Sequence, residues 1–167
     1  MLGAPLVLAG AGWGVAAAMA GDEDPRRRIR TDLEPLNARF APYTGELPAA
    51  HWQAYDIDDH GDRFTLPSPD RRVRVVGVAR LGPGGARRAM GDGSTFFAAV
   101  PRDLPGPLKP HLPADAQWQR SAHFDTLVAE SGTEPAGTEP PGAESSGTSE
   151  ICIDAQRDLM YFDLLVI

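Results

Sequence analysis

The chain closes on Ile151-Cys-Ile-Asp-Ala-Gln-Arg-Asp-Leu-Met-Tyr-Phe-Asp-Leu-Leu-Val-Ile167. This reads as a short strand at 151–154, a polar turn from Asp154 to Asp158, and a longer strand at 159–167. In the longer strand one alternate set, Met160, Phe162, Leu164 and Val166, is wholly apolar. The other set, Leu159, Tyr161, Asp163, Leu165 and Ile167, is apolar except for Asp163. A strand apolar on both faces belongs inside a sheet, with cover on both sides. The earlier segments are therefore expected to assemble against this one.

Immediately before it, residues 131–150 read SGTEPAGTEPPGAESSGTSE, with a GTEP repeat and no large apolar side chain. Such a run cannot offset its own ordering entropy, so it reads as a disordered insertion spanning about 130–150. It joins an expected strand at 118–129 to the one at 151–154, and long insertions add little closure entropy, so its ends should lie close together.

Further upstream, residues 71–81 make the clearest remaining strand. Val73, Val75, Gly77, Ala79 and Leu81 form a face suited to a core, while Arg72, Arg74, Val76, Val78 and Arg80 form the other. Three arginines at period two on an outward face can hold a carboxylate or phosphate. The glycine-rich segment 82–94 adds Arg87 and Arg88 on what reads as a flexible loop. These five residues, Arg72, Arg74, Arg80, Arg87 and Arg88, are the candidate anion-binding surface; a solvated strand face and an exposed loop are the plain alternative. The spacing is not that of a P-loop, because no Gly-Lys-Ser/Thr ends the glycine run.

The remaining elements follow from punctuation and period. Residues 26–42 read as a helix capped by Thr31 or Asp32, with Pro35 tolerated near its start and Leu33, Leu36 and Phe40 on one face. Residues 50–57 and 62–66 read as a hairpin, and 95–100 as a short apolar strand. The turn between the hairpin strands places Asp56, Asp58, His60, Gly61 and Asp62 like the start of a calcium loop. Its twelfth position is Pro67 instead of the closing Glu, so a plain hairpin turn is the better reading. Five prolines between Pro101 and Pro113 exclude a regular helix or central strand, so that segment should run over the surface as an extended connection. The fold class is α+β: a mostly antiparallel sheet with one N-terminal helix packed on it. One domain of 21–167 accounts for the length.

Residues 1–20, MLGAPLVLAGAGWGVAAAMA, carry no charge. Three readings fit them: a signal peptide cleaved after Ala18-Met19-Ala20, a weakly hydrophobic transmembrane helix followed by the arginines at 26–30, or an ordinary helix or tail of a soluble protein. A dinucleotide fingerprint does not fit, since Val15 stands where the third glycine of Gly10-Ala-Gly12 should be.

Net charge is −7, and Lys109 is the single lysine among sixteen basic residues. The arginine, alanine, glycine and proline bias points to a GC-rich bacterial source. No basic footprint for nucleic acid is present. Cys152 is the only cysteine, which excludes an intramolecular disulfide and a thiolate zinc cluster; between Ile151 and Ile153 it reads as a small buried apolar residue. His51, His60, His111 and His123 show no local metal-ligand spacing, and no Gly-x-Ser-x-Gly elbow occurs. His123 and Asp125, on one side of the expected strand, are the nearest thing to a base and its orienter.

No catalytic residue, cofactor or metal is assigned. The expected function is a non-enzymatic binding or accessory domain, membrane-anchored or exported. The alternatives are a cytosolic partner-binding regulator or inhibitor, and a small hydrolase with His51 or His123 as base. The expected partners are another protein or, through residues 1–20, a membrane.

Overall fold

The computed structural model describes residues 24–58, 72–130 and 148–166. The apolar segment 1–20, the return strand expected at 62–66, most of the calcium-like turn and the bulk of the low-complexity run lie outside the described residues.

Strand β6 (Leu159–Val166) lies between β2 (Val73–Arg80) and β5 (Ser149–Asp154). With β1 (Ala49–Asp56), β3 (Phe97–Ala98) and β4 (Gln119–Arg120), they form a six-stranded antiparallel sheet in the order β1-β2-β6-β5-β4-β3. The α+β class read from the sequence is the class observed. Register pairs Gly77 with Phe162 and Ile151 with Phe162, so the wholly apolar set of β6 shares a face with the apolar set of β2.

Three helices cover this first face: α1 (Glu34–Thr44), α2 (Gly85–Met90) and α3 (Ala122–Glu130). Leu36, Phe40, Ala86, Phe124 and Val128 enter one core with Trp52, Val75, Phe162 and Leu164. The Phe40 and Phe162 rings sit 5.2 Å apart, tilted at 49°. Helix α1 starts eight residues later than the sequence suggests, with Leu33 as its N-cap and no side-chain cap. Residues ahead of it run along the outer edge of β1 instead, where Arg30 and Trp52 exchange backbone hydrogen bonds of 2.7 and 3.0 Å. The Arg30 guanidinium lies 4.0 Å over the Trp52 ring, a cation–π contact.

Two of the helices replace expected non-helical segments. In place of the strand expected at 118–129, only Gln119 and Arg120 are extended, and α3 follows. Ser121 starts the helix: its hydroxyl accepts from the Phe124 N–H at 3.4 Å and its carbonyl accepts from Asp125 N–H at 3.0 Å. Phe124, Leu127 and Val128 have helical spacing, which outweighs a reading as alternation. Helix α1 closes the other end of α3. Arg39 Nη2 donates to the Val128 and Ala129 carbonyls, and Tyr43 donates to Leu127, satisfying carbonyls that a helix end leaves open. The glycine loop contains α2, entered through Gly84 at φ 74° and left through Gly91 at φ 57°.

The second face is covered by the proline-rich segment. Here the extended reading needs correction, because Gly106–His111 winds into a 3-10 helix. Leu108 is wholly buried and packs with Val76, Val78, Trp118, Cys152 and Tyr161, beside Leu104 and Leu112. Pro107, in the first turn of this short 3-10 helix, costs no hydrogen bond. Val76 and Val78, expected to face outward with the arginines, are therefore inside a second core. Among the described residues no helix is long and apolar enough to cross a membrane.

Candidate functional site: an arginine-bordered cleft

The proline-rich cover reaches the end of the second face, where β1 runs out and β2 begins, only through its Arg102-Asp103 turn. A cleft of about 410 Å³ opens there, walled by Ile57 and Leu165 and bordered by Arg74, Arg102 and Arg120. Asp103, Glu150 and Asp163 face the same space. Cross-strand register explains part of this set. Arg74 pairs with Leu165 and Val76 with Asp163, so Arg74 and Asp163 are diagonal neighbours on the second face.

Arg74 is held by four hydrogen bonds to three residues. Its Nε and Nη2 donate to the two carboxylate oxygens of Asp163 at 2.9 and 2.6 Å. Nη1 donates to the Tyr55 hydroxyl at 3.1 Å, and Nη2 also donates to the Asp103 carbonyl at 2.9 Å. Hydrogen bonding to Asp163 outweighs burial and pushes the guanidinium above the ordinary arginine value.

Across the cleft, Arg120 Nε donates to Asp125 at 2.7 Å, while its two terminal nitrogens make longer contacts with Glu150 and the Ser149 carbonyl. Asp125 also accepts the Ile151 N–H at 2.8 Å. Its burial raises its carboxyl above the ordinary value despite those two partners, which act to lower it. Because Asp125 is on α3 and Ile151 on β5, this network ties the two sides of the low-complexity run together.

Between them sits the turn Arg102-Asp103. The Arg102 N–H donates to Glu150 at 3.2 Å, its carbonyl accepts from Tyr161 at 2.5 Å, and Asp103 adopts φ 51°. The backbone of the turn is thus fixed to the sheet. Neither the Arg102 guanidinium nor the Asp103 carboxylate makes a hydrogen bond or ion pair among the described residues, and both residues are exposed.

Of the five arginines singled out in the sequence, Arg74 alone borders this cleft. Arg72 pairs with Asp58 on the exposed end of the sheet. Arg80 is exposed at the opposite end of β2. Arg87 and Arg88 lie on α2, which packs on the first face, and Arg88 reaches over Gly45. The five are not brought together as one surface. Arg102 and Arg120 were not singled out, because nothing local to either residue predicts that the proline-rich segment and β4 meet at the end of β6.

The histidines are arranged differently from the sequence expectation. On a helix, positions two apart do not face each other. His123 is accordingly exposed while Asp125 is buried and points at Arg120, so the two are not a base and its orienter. His51, on β1, stacks instead on His111 at the end of the 3-10 helix, with ring centroids 3.7 Å apart and 11° between planes. Cys152 is wholly buried, and that burial pushes its thiol up to about 12. Among the described residues no three His, Cys, Asp or Glu side chains converge as a metal site.

Comparison of the chain with protein-family models, with curated proteins and with solved structures gives no match, so what it does is read from its own residues.

Proposed function

We propose that the protein is a non-enzymatic binding domain, an accessory module held at a bacterial membrane or exported, and that the cleft is where it holds a small ligand. One observation carries this reading. The cleft combines two rigid, internally paired arginines with a fixed turn whose two charged side chains are still open to a partner. Fixed donors around a cleft of a few hundred cubic ångströms suit recognition. The described histidines, His51, His111 and His123, do not line it.

A thermal-shift screen of the full chain against small metabolites tests the binding reading, with amide shifts mapping any hit. The expected hit perturbs Arg102, Asp103 and Glu150. Hits that map only to other surfaces contradict it. For the location, mass spectrometry of the protein recovered from cells is expected to find either a new start at Gly21 or the intact chain in the membrane fraction. Intact chain found only in the soluble cytosol contradicts it.

A partner-binding regulator is the second reading. It is favoured by Phe97, on the outer edge strand β3, and Val100, just beyond it, large apolar residues 55% and 76% exposed.

A further inference from the structure

We infer that the ligand of this cleft is a small zwitterion with an apolar side chain, its carboxylate bound by Arg102 and its ammonium by Asp103. The inference rests on the binding-domain reading and adds the chemical class.

Charge bookkeeping inside the cleft carries the argument. Three guanidinium groups and three carboxylates border it. Arg74 and Asp163 satisfy each other, and Arg120 is shared between Asp125 and Glu150. Among the described residues one positive and one negative side chain are left over, and they are sequence neighbours on one fixed turn. A phosphate dianion would find one open guanidinium and three carboxylates around it, an arrangement that repels it. A carboxylate needs only one guanidinium fork, and Arg102 supplies it. A carboxylate alone would sit on Arg102 beside the Asp103 carboxylate, a like charge on the same turn. A ligand ammonium removes that cost.

The rest of the geometry agrees. The turn cannot drift, since Glu150, Tyr161 and Arg74 hold its backbone by three hydrogen bonds. A site fixed before binding loses little conformational freedom on binding. Ile57 and Leu165 give the cleft an apolar wall, both partly buried, against which an aliphatic side chain can pack. The volume admits a free amino acid or a short peptide.

Isothermal titration calorimetry on the full chain at neutral pH separates these possibilities. The probes are L-leucine, leucyl-leucine, 4-methylpentanoate, 3-methylbutan-1-amine and inorganic phosphate. The expected result is that one of the first two binds at least ten times more tightly than the singly charged analogues or phosphate. Which of the two wins distinguishes a free amino acid from a peptide. Arg102→Ala is expected to weaken that binding at least tenfold. Asp103→Asn is expected to weaken the zwitterion about tenfold while leaving 4-methylpentanoate unchanged. Both substitutions spare the fold: the Arg102 side chain has no partner among the described residues, and asparagine accepts the positive φ at 103.

If phosphate or 4-methylpentanoate binds as tightly as the zwitterions, the zwitterion assignment is wrong and the binding-domain reading stands. If no probe binds but the metabolite screen maps a hit to the cleft, the assignment again fails alone. If neither experiment finds a cleft ligand, both fail.

Discussion

Arg74 and Asp163 meet as a bidentate ion pair across β2 and β6, with nitrogen–oxygen distances of 2.9 and 2.6 Å. Each is a local exception. Asp163 interrupts an otherwise apolar set, and Arg74 stands on a face whose next two members, Val76 and Val78, are buried. Each exception accounts for the other. Both side chains keep a little under a quarter of their surface exposed, which places the pair between a surface ion pair and a buried one.

Removing one partner should therefore cost more than a surface pair does. Asp163→Ala is expected to lower unfolding free energy by about 1–3 kcal/mol, because Arg74 loses its counter-charge beneath the Asp103 turn. Arg74→Met combined with Asp163→Leu should recover part of the loss. Urea denaturation of the three chains checks both statements. A single variant as stable as the parent would show that the pair is solvated.

Gly77 is where β2 comes closest to its neighbours. A Cβ there would lie 2.5 Å from the Trp52 Cβ, 2.7 Å from the His51 carbonyl oxygen and 2.8 Å from Phe162 Cζ. Trp52 and Phe162 are wholly buried, so neither can yield cheaply. Gly77→Ala is expected to destabilise by about 1–3 kcal/mol through overpacking, read as a lower urea midpoint. An unchanged midpoint would mean that the sheet is not packed this closely.

Much of this was legible in the sequence, and what was missed has two causes. The interior position of β6 follows from Met160, Phe162 and Leu164 alternating with Leu159, Tyr161 and Leu165, since only a doubly covered strand tolerates both sets. The polar turn after Asp154 was legible for the same local reason. Its carboxylate accepts the backbone N–H groups of Gln156 and Arg157. By contrast, Phe124, Leu127 and Val128 fit a strand or a helix when read alone, and Ser121 as a helix start was the deciding signal. Arg102 and Arg120 could not be found locally, because their neighbours come from segments brought together only by the long connections.

The Cys152 thiol is predicted to be inert in the folded chain. It is wholly buried, and burial raises its titration to about 12, so thiolate is scarce at neutral pH. A maleimide or disulfide reagent should label it only after urea unfolding. Stoichiometric labelling of the native protein within minutes would contradict the packing of the second core.

The His51–His111 stack should make stability fall in mild acid. Burial first, and then the His111 ring, lower the His51 imidazole below its ordinary value of 6.5. The unfolded chain therefore takes up a proton before the folded one as pH falls through 6.5. The contribution of this group is complete above about 6.5 and is lost as pH drops toward its folded value. The urea midpoint of the parent is expected to fall between pH 7.5 and 5, and that of His51→Phe to fall less. Asp154, whose burial is outweighed by the N–H groups and guanidinium that hold its carboxyl below the ordinary carboxylate range, contributes only at lower pH. Equal slopes in parent and variant would remove the stack as their source.

Both covers and the cleft depend on where the closing strand lies. Amide hydrogen exchange read residue by residue tests that placement most directly. Met160 to Leu164 should exchange only through global unfolding, orders of magnitude more slowly than Phe97 and Ala98 at the sheet edge. Exchange of Met160–Leu164 as fast as that edge would contradict a strand held between two neighbours and covered on both faces.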